Sequence, residues 1–332
     1  MLRIVFMGSD AIALPALNWM VNEGAGQTEI VAIFTQPDRA VGRGQKIQAN
    51  EIKQWAVARG LPVLQPIKVG VDERGQLATF KPDLTLVMAY GHILKQDLID
   101  TPRLGTLNLH TSILPAYRGA SPIQTAITCG ETETGVTLMR MVLKLDAGPV
   151  ADVERVAIEA LDTASTVEAK LAQACVPLLA RCLPAIAAGT QKFTAQDEKA
   201  ATFCRRLEKN DGVLDFQLPA SLLAARINGL MPWPACTVEM SGHIVKLGLA
   251  DTVSENSGAA AGEVIGTDSL GLLVGTGRGV LRLRLLQRPG GRLLPATEFL
   301  RGFPVESGTQ LSSQSMPPLV AREPFPRMKP QP

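Results

Sequence analysis

Leu2-Arg3-Ile4-Val5-Phe6-Met7-Gly8-Ser9-Asp10 is a strand-length apolar run that ends in a turn, and Ala11–Met20 follows it with helical length. Strand, tight turn and helix in that order open a nucleotide-binding α/β fold. No GxGxxG follows, however, and a plain turn into a helix accounts for the same residues. The run is too short for the core of a signal peptide. Working outward, Ile30–Thr35, Leu84–Ala89 and Thr106–Leu109 are further runs of strand length, separated by stretches of helical length. This alternation predicts an α/β domain with a parallel sheet and helices on its faces. Ser165-Thr166-Val167-Glu168 has the spacing of a capping box, and Val167, Leu171, Cys175, Leu178 and Cys182 recur every three or four residues after it. A helix therefore closes this part of the chain.

A length of 332 residues suits two domains. After Gly189 the periodicity gives way to polar residues, so we read 1–189 as the first domain, 190–209 as a linker and 210–305 as the second domain. Within the last, Ala235–Met240, Ile244–Gly248, Gly262–Ile265, Leu270–Gly275 and Gly279–Leu286 are short strand-like segments punctuated by glycine. They predict a small β-barrel of the OB type. Residues 306–332, rich in Pro and Ser, read as a flexible tail. The most apolar long stretch, Leu171–Ala188, is interrupted by Pro177, Arg181 and Pro184, so no membrane span is expected. Cys129, Cys175, Cys182, Cys204 and Cys236 form no CxxC pair and read as reduced packing residues of a cytoplasmic protein; with three histidines, no metal cluster is expected.

The charge balance, 33 Lys and Arg against 31 Asp and Glu, argues against a nonspecific nucleic-acid coat, and the 4% aromatic content is too low for base-stacking platforms. The excess is local. Between Thr276 and Phe303, Arg278, Arg282, Arg284, Arg288, Arg292 and Arg301 face Glu298 alone. Arg282 and Arg284 are two apart in an alternating run, so a strand puts both on one face. That face suits a phosphate backbone, or is simply a solvated surface.

The chemistry-bearing stretch is Gly105-Thr106-Leu107-Asn108-Leu109-His110-Thr111-Ser112-Ile113-Leu114-Pro115-Ala116-Tyr117-Arg118-Gly119. Asn108 and His110, two apart at the end of an apolar strand, point to the same side. Ligands of open α/β sheets bind beyond the carboxyl ends of strands, which is where these residues fall. Leu145-Asp146-Ala147-Gly148 adds an acid at the end of another apolar run. Amide, imidazole and carboxylate together suit acyl transfer to an amine: Asn binds a developing oxyanion, and His and Asp manage protons. No Ser or Cys nucleophile is evident, which favours direct transfer. A purely structural histidine at a strand end is the competing reading.

Asn108-Leu109-His110, Ser112 to Gly119 and Leu145 to Gly148 resemble the signature of the folate-dependent formyltransferases. Four further segments are similar to the members of that family that act on initiator methionyl-tRNA: Thr35 to Arg39 with Gly42 to Lys46, Val87 to Gly91, Met231 to Pro234, and Leu286 to Arg292 with Glu298 to Leu300. The resemblance spans about residues 1–305. It implies a Rossmann-like formyltransferase domain, an OB-like second domain, and 10-formyl-tetrahydrofolate as formyl donor with no metal. The implied partner is initiator methionyl-tRNA, without an obligate protein partner or a membrane. By position it makes Asn108, His110 and Asp146 the catalytic trio. Ser112, Ile113, Leu114 and Pro115 would shape the folate site, and Met88, Ala89 and Tyr90 would meet the pterin through backbone groups. Arg39, Arg43 and Lys46 on the Asp38–Gln48 loop would contact the tRNA acceptor end, together with Lys209, Arg282, Arg284, Arg288 and Arg292. Val142 and Lys144 stand where the family usually has an acid and a glycine, which implies altered packing of the folate loop. A formyltransferase acting on a small amine, such as a sugar nucleotide or glycinamide ribonucleotide, and a noncatalytic folate or tRNA binder are the alternatives.

Overall fold

A computed structural model describes residues 1–41, 44–254 and 258–326. The chain divides into two units. The first comprises Met1–Arg118, Gly135–Val156 and Glu168–Ala201; the second takes in Gly119–Thr134, Ala157–Val167 and the chain from Thr202.

A seven-stranded sheet organises the first unit, in the order Val150–Ala157, Glu133–Arg140, Thr106–His110, Leu84–Met88, Leu2–Gly8, Thr28–Phe34, Val63–Leu64. The central strands pair in parallel, and their near-continuous apolar sequences follow from burial on both faces: Ile4, Val5, Phe6 and Met7 are all inaccessible to solvent. From Leu2–Gly8 the chain builds the sheet outward through Thr28–Phe34, then returns to place Leu84–Met88 on the other side of the first strand. That reversal creates a crevice at the carboxyl ends of these two strands, the usual ligand position of such sheets. The expected parallel sheet is in fact mixed, because Glu133–Arg140 pairs antiparallel to Thr106–His110.

Ala164–Ala187 forms one 24-residue helix that continues through Pro177 and Pro184. It is long and apolar enough to cross a membrane, yet Val167, Leu171, Cys175, Leu178, Leu179 and Leu183 are buried in the protein, so it is a core helix. Packing of that face outweighs the breaks that proline introduces. The cap lies two residues before the expected box: Thr163 and Thr166 bond reciprocally, backbone N–H to side-chain oxygen, at 2.7 and 3.4 Å.

In the second unit each expected strand-like segment contributes a strand, and Cys236–Met240, His243–Ser254, Val280–Gln287, Leu272–Gly275 and Val264–Thr267 pair antiparallel in that order, with Leu294–Pro295 against Val280–Gln287. Val245, Leu247, Leu281 and Leu283 alternate into its core. The helix Pro122–Thr128 belongs here because it packs on Ala220–Leu230; a Cβ at Gly229 would lie 2.8 Å from the Thr128 methyl, so only glycine allows this approach. The stretch after Pro304 is not a free tail over its described part. Leu311 and Leu319 are buried, and Val320–Ala321 pairs with Phe203–Cys204. Two well-placed leucines anchor a segment that composition alone marks as tail; residues 327–332 lie outside the described residues.

Candidate active site

Thr106–His110 pairs with Leu84–Met88 on one side and Glu133–Arg140 on the other, which places Asn108 opposite Val87 and Met139, and His110 opposite Thr137. The pleat turns Asn108 and His110 to the same side. Asn108 is half-buried, and among the described residues its side-chain amide has no hydrogen-bond partner. His110 is 6% exposed. Its Nε2 lies 3.0 Å from the carbonyl oxygen of Tyr117. A carbonyl can only accept, so Nε2 carries the hydrogen and Nδ1 is the nitrogen left for chemistry. Asp146 Oδ2 stands 3.9 Å from that Nδ1. The structure thus brings the three residues expected as a trio to one end of the sheet.

The Ser112–Ala116 turn is braced from within. Ser112 Oγ donates to the Ala116 carbonyl at 2.6 Å, while Thr137 Oγ1 donates to the Ser112 carbonyl at 2.6 Å and accepts from Leu114 N at 3.1 Å. Ser112 and Leu114 are buried, Ile113 and Pro115 half-buried. At the neighbouring strand end Met88 is buried and Ala89 exposed, and Ser9 N donates to the Ala89 carbonyl at 3.2 Å. The Tyr90 ring packs in the core, and burial pushes its phenol up, so only its backbone is available to a ligand. Gln36 Nε2 donates to the Tyr90 carbonyl at 3.0 Å, and Gln36 Oε1 accepts from Arg39 at 2.7 Å.

The Asp38–Gln48 loop is built as a short hairpin, Arg39–Val41 against Lys46–Gln48. Lys53 Nζ and Gln65 Nε2 both donate to the Asp38 carboxylate at 2.7 Å, fixing the base of the hairpin and holding that carboxyl below its ordinary pKa. Arg39 and Lys46 are exposed; Arg43 lies outside the described residues.

The loop before Asp146 carries the two residues that depart from the family pattern, Val142 and Lys144. The Lys144 ammonium meets Glu198 at 2.5 Å, and Glu198 in turn binds the buried Arg118 at 3.0 Å. Hydrogen bonds from Arg118 and Lys144 hold the Glu198 carboxyl down at about 2. Leu143 and Leu145, the chain neighbours of Lys144, are exposed. Arg118 and Gln196 escape a reading by spacing because their contacts span 78 residues. The only local signal was that Tyr117-Arg118-Gly119 ends the chemistry-bearing stretch.

In the second unit the arginine strip is divided. Arg282 and Arg284 do share a strand face, but Asp251 accepts from both, at 2.7 and 2.9 Å, and Asp268 accepts from Arg282 at 2.8 Å. These arginines are paired side chains and not an open cationic face. Arg288 and Arg292 are exposed, without an acidic partner among the described residues, and Lys209 is exposed at the start of a 3-10 turn, Lys209–Gly212. No group of His, Cys, Asp and Glu suited to a metal occurs among the described residues.

Two family descriptions match this chain: Formyl transferase over residues 2–183 and Formyl transferase, C-terminal domain, over residues 206–304. The methionyl-tRNA formyltransferase of Ectopseudomonas mendocina (strain ymp) is 42% identical over 88% of this chain and 92% of its own length. That of Acidovorax ebreus (strain TPSY) is 36% identical over 94% and 99%. The chain belongs to the methionyl-tRNA formyltransferase family. Solved structures share the formyltransferase fold at low identity. The N-formyltransferase from Helicobacter canadensis, in complex with folinic acid and dTDP-3-aminofucose, aligns with a TM-score of 0.64 at 17% identity over 85% of this chain and 99% of that one. HypX from Aquifex aeolicus in complex with tetrahydrofolic acid aligns with a TM-score of 0.59 at 18% identity over 90% of this chain, which spans about half of HypX, 47%.

Proposed function

We propose that this formyltransferase moves a formyl group from 10-formyl-tetrahydrofolate to the amino group of initiator methionyl-tRNA. The observation that carries the chemistry is the convergence of an unpartnered Asn108 amide with His110 Nδ1 and Asp146, 3.9 Å apart, at the carboxyl end of the sheet. The unpartnered Asn108 donor fits a ligand whose formyl oxygen accepts from it. The choice of acceptor rests on relatives of 36 to 42% identity that align over nearly their whole length.

As the amine attacks the formyl carbon a C–N bond forms and the formyl oxygen becomes an oxyanion. Asn108 donates to that oxygen throughout, a donor worth about 3 kcal/mol in comparable sites. His110 holds its Nε2 proton on Tyr117 O, so only Nδ1 reaches the substrate; when protonated it donates to the oxyanion, and Asp146 stabilises the imidazolium. Asp146, counterion of that imidazolium while the amine attacks, then takes the proton the amine releases, directly or through water. It returns this proton to the folate N10 as the bond from N10 to the formyl carbon breaks and the oxyanion reforms the carbonyl. The backbone at 88–90 and the Ser112–Pro115 turn flank the donor. Arg39, Arg43 and Lys46 approach the acceptor-stem phosphates, with Lys209, Arg288 and Arg292 as further cations. The pairing of Arg282 and Arg284 with Asp251 and Asp268 gives them a structural role in this reading.

The test offers the protein 10-formyl-tetrahydrofolate with charged initiator tRNA, uncharged tRNA, a dTDP-amino sugar or glycinamide ribonucleotide. Formyl appears on the charged tRNA alone. Turnover of a small amine with none on tRNA would replace this reading by the small-amine one.

A further inference from the structure

Asp146 adopts φ +46, a left-handed conformation that aspartate tolerates better than most side chains but that still leaves its loop to be fixed by other contacts. A side-chain network outside the polar trio supplies such contacts. Gln196 Nε2 donates to the carbonyls of Asp146 at 2.8 Å and Gly148 at 2.7 Å. Gln196 Oε1 accepts from Arg118 Nε at 3.1 Å and Nη2 at 2.8 Å. Arg118 can only donate and its side chain is fully buried, so it dictates which end of the amide faces the loop. On the far side the loop is closed against backbone, since a Cβ at Gly148 would come 1.8 Å from the Arg140 carbonyl. Lys144, through Glu198 and Arg118, adds a second tie between the same two segments.

We propose that Gln196, oriented by Arg118, is a positioning residue for Asp146, fixing the backbone from which the carboxylate meets His110. This rests on the reading of Asp146 as the proton-handling group. The amide is suited to the task because it alone joins donors that must face two carbonyls to an acceptor that must face a buried guanidinium. The 144–148 loop therefore depends on a segment about fifty residues later in the chain, which polar composition marks as a linker.

Gln196→Glu separates this role from a structural one. It keeps an acceptor on Arg118, gaining an ion pair there, but removes both donors from the loop and sets a carboxylate oxygen against two carbonyls. The single-turnover formylation rate falls about 100-fold, as expected for a misplaced catalytic group, while KM for tRNA and for folate donor stay within about two-fold and thermal stability is retained. Gln196→Met, which lacks the charge, shows the same loss. The apparent pKa of the pH–rate profile moves in both. On an Asp146→Asn background Gln196→Glu costs less than about two-fold more, because the group it positions is gone. A wild-type rate in Gln196→Glu alongside an inactive Asp146→Asn overturns the inference and leaves the proposed function standing. So does a Gln196→Glu loss that multiplies in full onto Asp146→Asn. A fully active Asp146→Asn overturns both.

Discussion

The polar ends of the parallel sheet and the arginine strip of the second unit handle charge in opposite ways. On the strip, Arg282, Arg284, Asp251 and Asp268 satisfy one another at 2.7 to 2.9 Å. At the sheet end, the Asn108 side-chain amide has no hydrogen-bond partner among the described residues, and the Asp146 carboxylate stands 3.9 Å from His110. The half-buried Asn108 amide, bonded to no other group of the described residues, stays available to a ligand. Residues that look equally functional in a sequence are thus separated by whether the fold has already satisfied them.

The sharpest way to break this contrast is at Asn108. Replacing Asn108 by Ala should lower kcat by about 10²- to 10³-fold with folding intact, since the amide's partner exists only in the reacting complex. Circular dichroism melts alongside steady-state rates check it, and a stability loss without a rate loss would make Asn108 structural. The opposite pattern is expected at Asp251. Asp251→Ala strands Arg284 and half of Arg282, costing about 2–3 kcal/mol in denaturant titrations while kcat changes little. Burial raises the Asp251 carboxyl, but hydrogen bonds from Arg282 and Arg284 outweigh that and hold it below its ordinary value. Its contribution is therefore present above about pH 4 and lost as pH falls below it, so Asp251→Ala also flattens the acid limb of the stability curve.

A third test separates free from satisfied arginines by salt. Arg288→Ala with Arg292→Ala should reduce the slope of log affinity for tRNA against log salt by about 1 to 2, whereas Arg282→Ala should lower the melting temperature and leave the slope unchanged. Equal slopes for the two variants would erase the distinction. The smallest effect belongs to Glu198. Hydrogen bonds from Arg118 and Lys144 lower its pKa to about 2, so the stability it adds is full above its unfolded pKa and disappears as pH drops toward about 2. Its side chain is 50% exposed, so solvent screens the pair, and Glu198→Gln should lower the neutral-pH melt only slightly and leave stability at about pH 2 unchanged.

Local pattern carried the main elements into view. Period-two alternation put Asn108 and His110 on one face, and glycine-punctuated short strands marked the antiparallel second unit. Contacts between distant segments were not legible. Asp251 lies 31 residues before Arg282, so counting charge along 276–303 could not reveal that the strip is partly neutralised. Pro122–Thr128 falls within the 1–189 span read as the first domain, and only its contact with Gly229 shows that it packs in the second unit. Gln196 and Glu198 look like polar linker residues until Arg118, 78 and 80 residues earlier, is found beside them. The cap at Thr163 in place of Ser165 is a nearer miss, between two hydroxyl-bearing triplets that differ only in which one the helix starts on.

The most direct test is a single-turnover formylation of charged initiator tRNA by Asp146→Asn, with binding of tRNA and folate donor measured in parallel. Both ligands should bind as they do to the wild-type protein while the rate constant falls by about 10³-fold or more, the range for losing a proton-transfer group together with its charge. A rate within about three-fold of wild type would contradict the account, because such a change is worth less than 1 kcal/mol and would leave the carboxylate beside His110 with no part in the transfer.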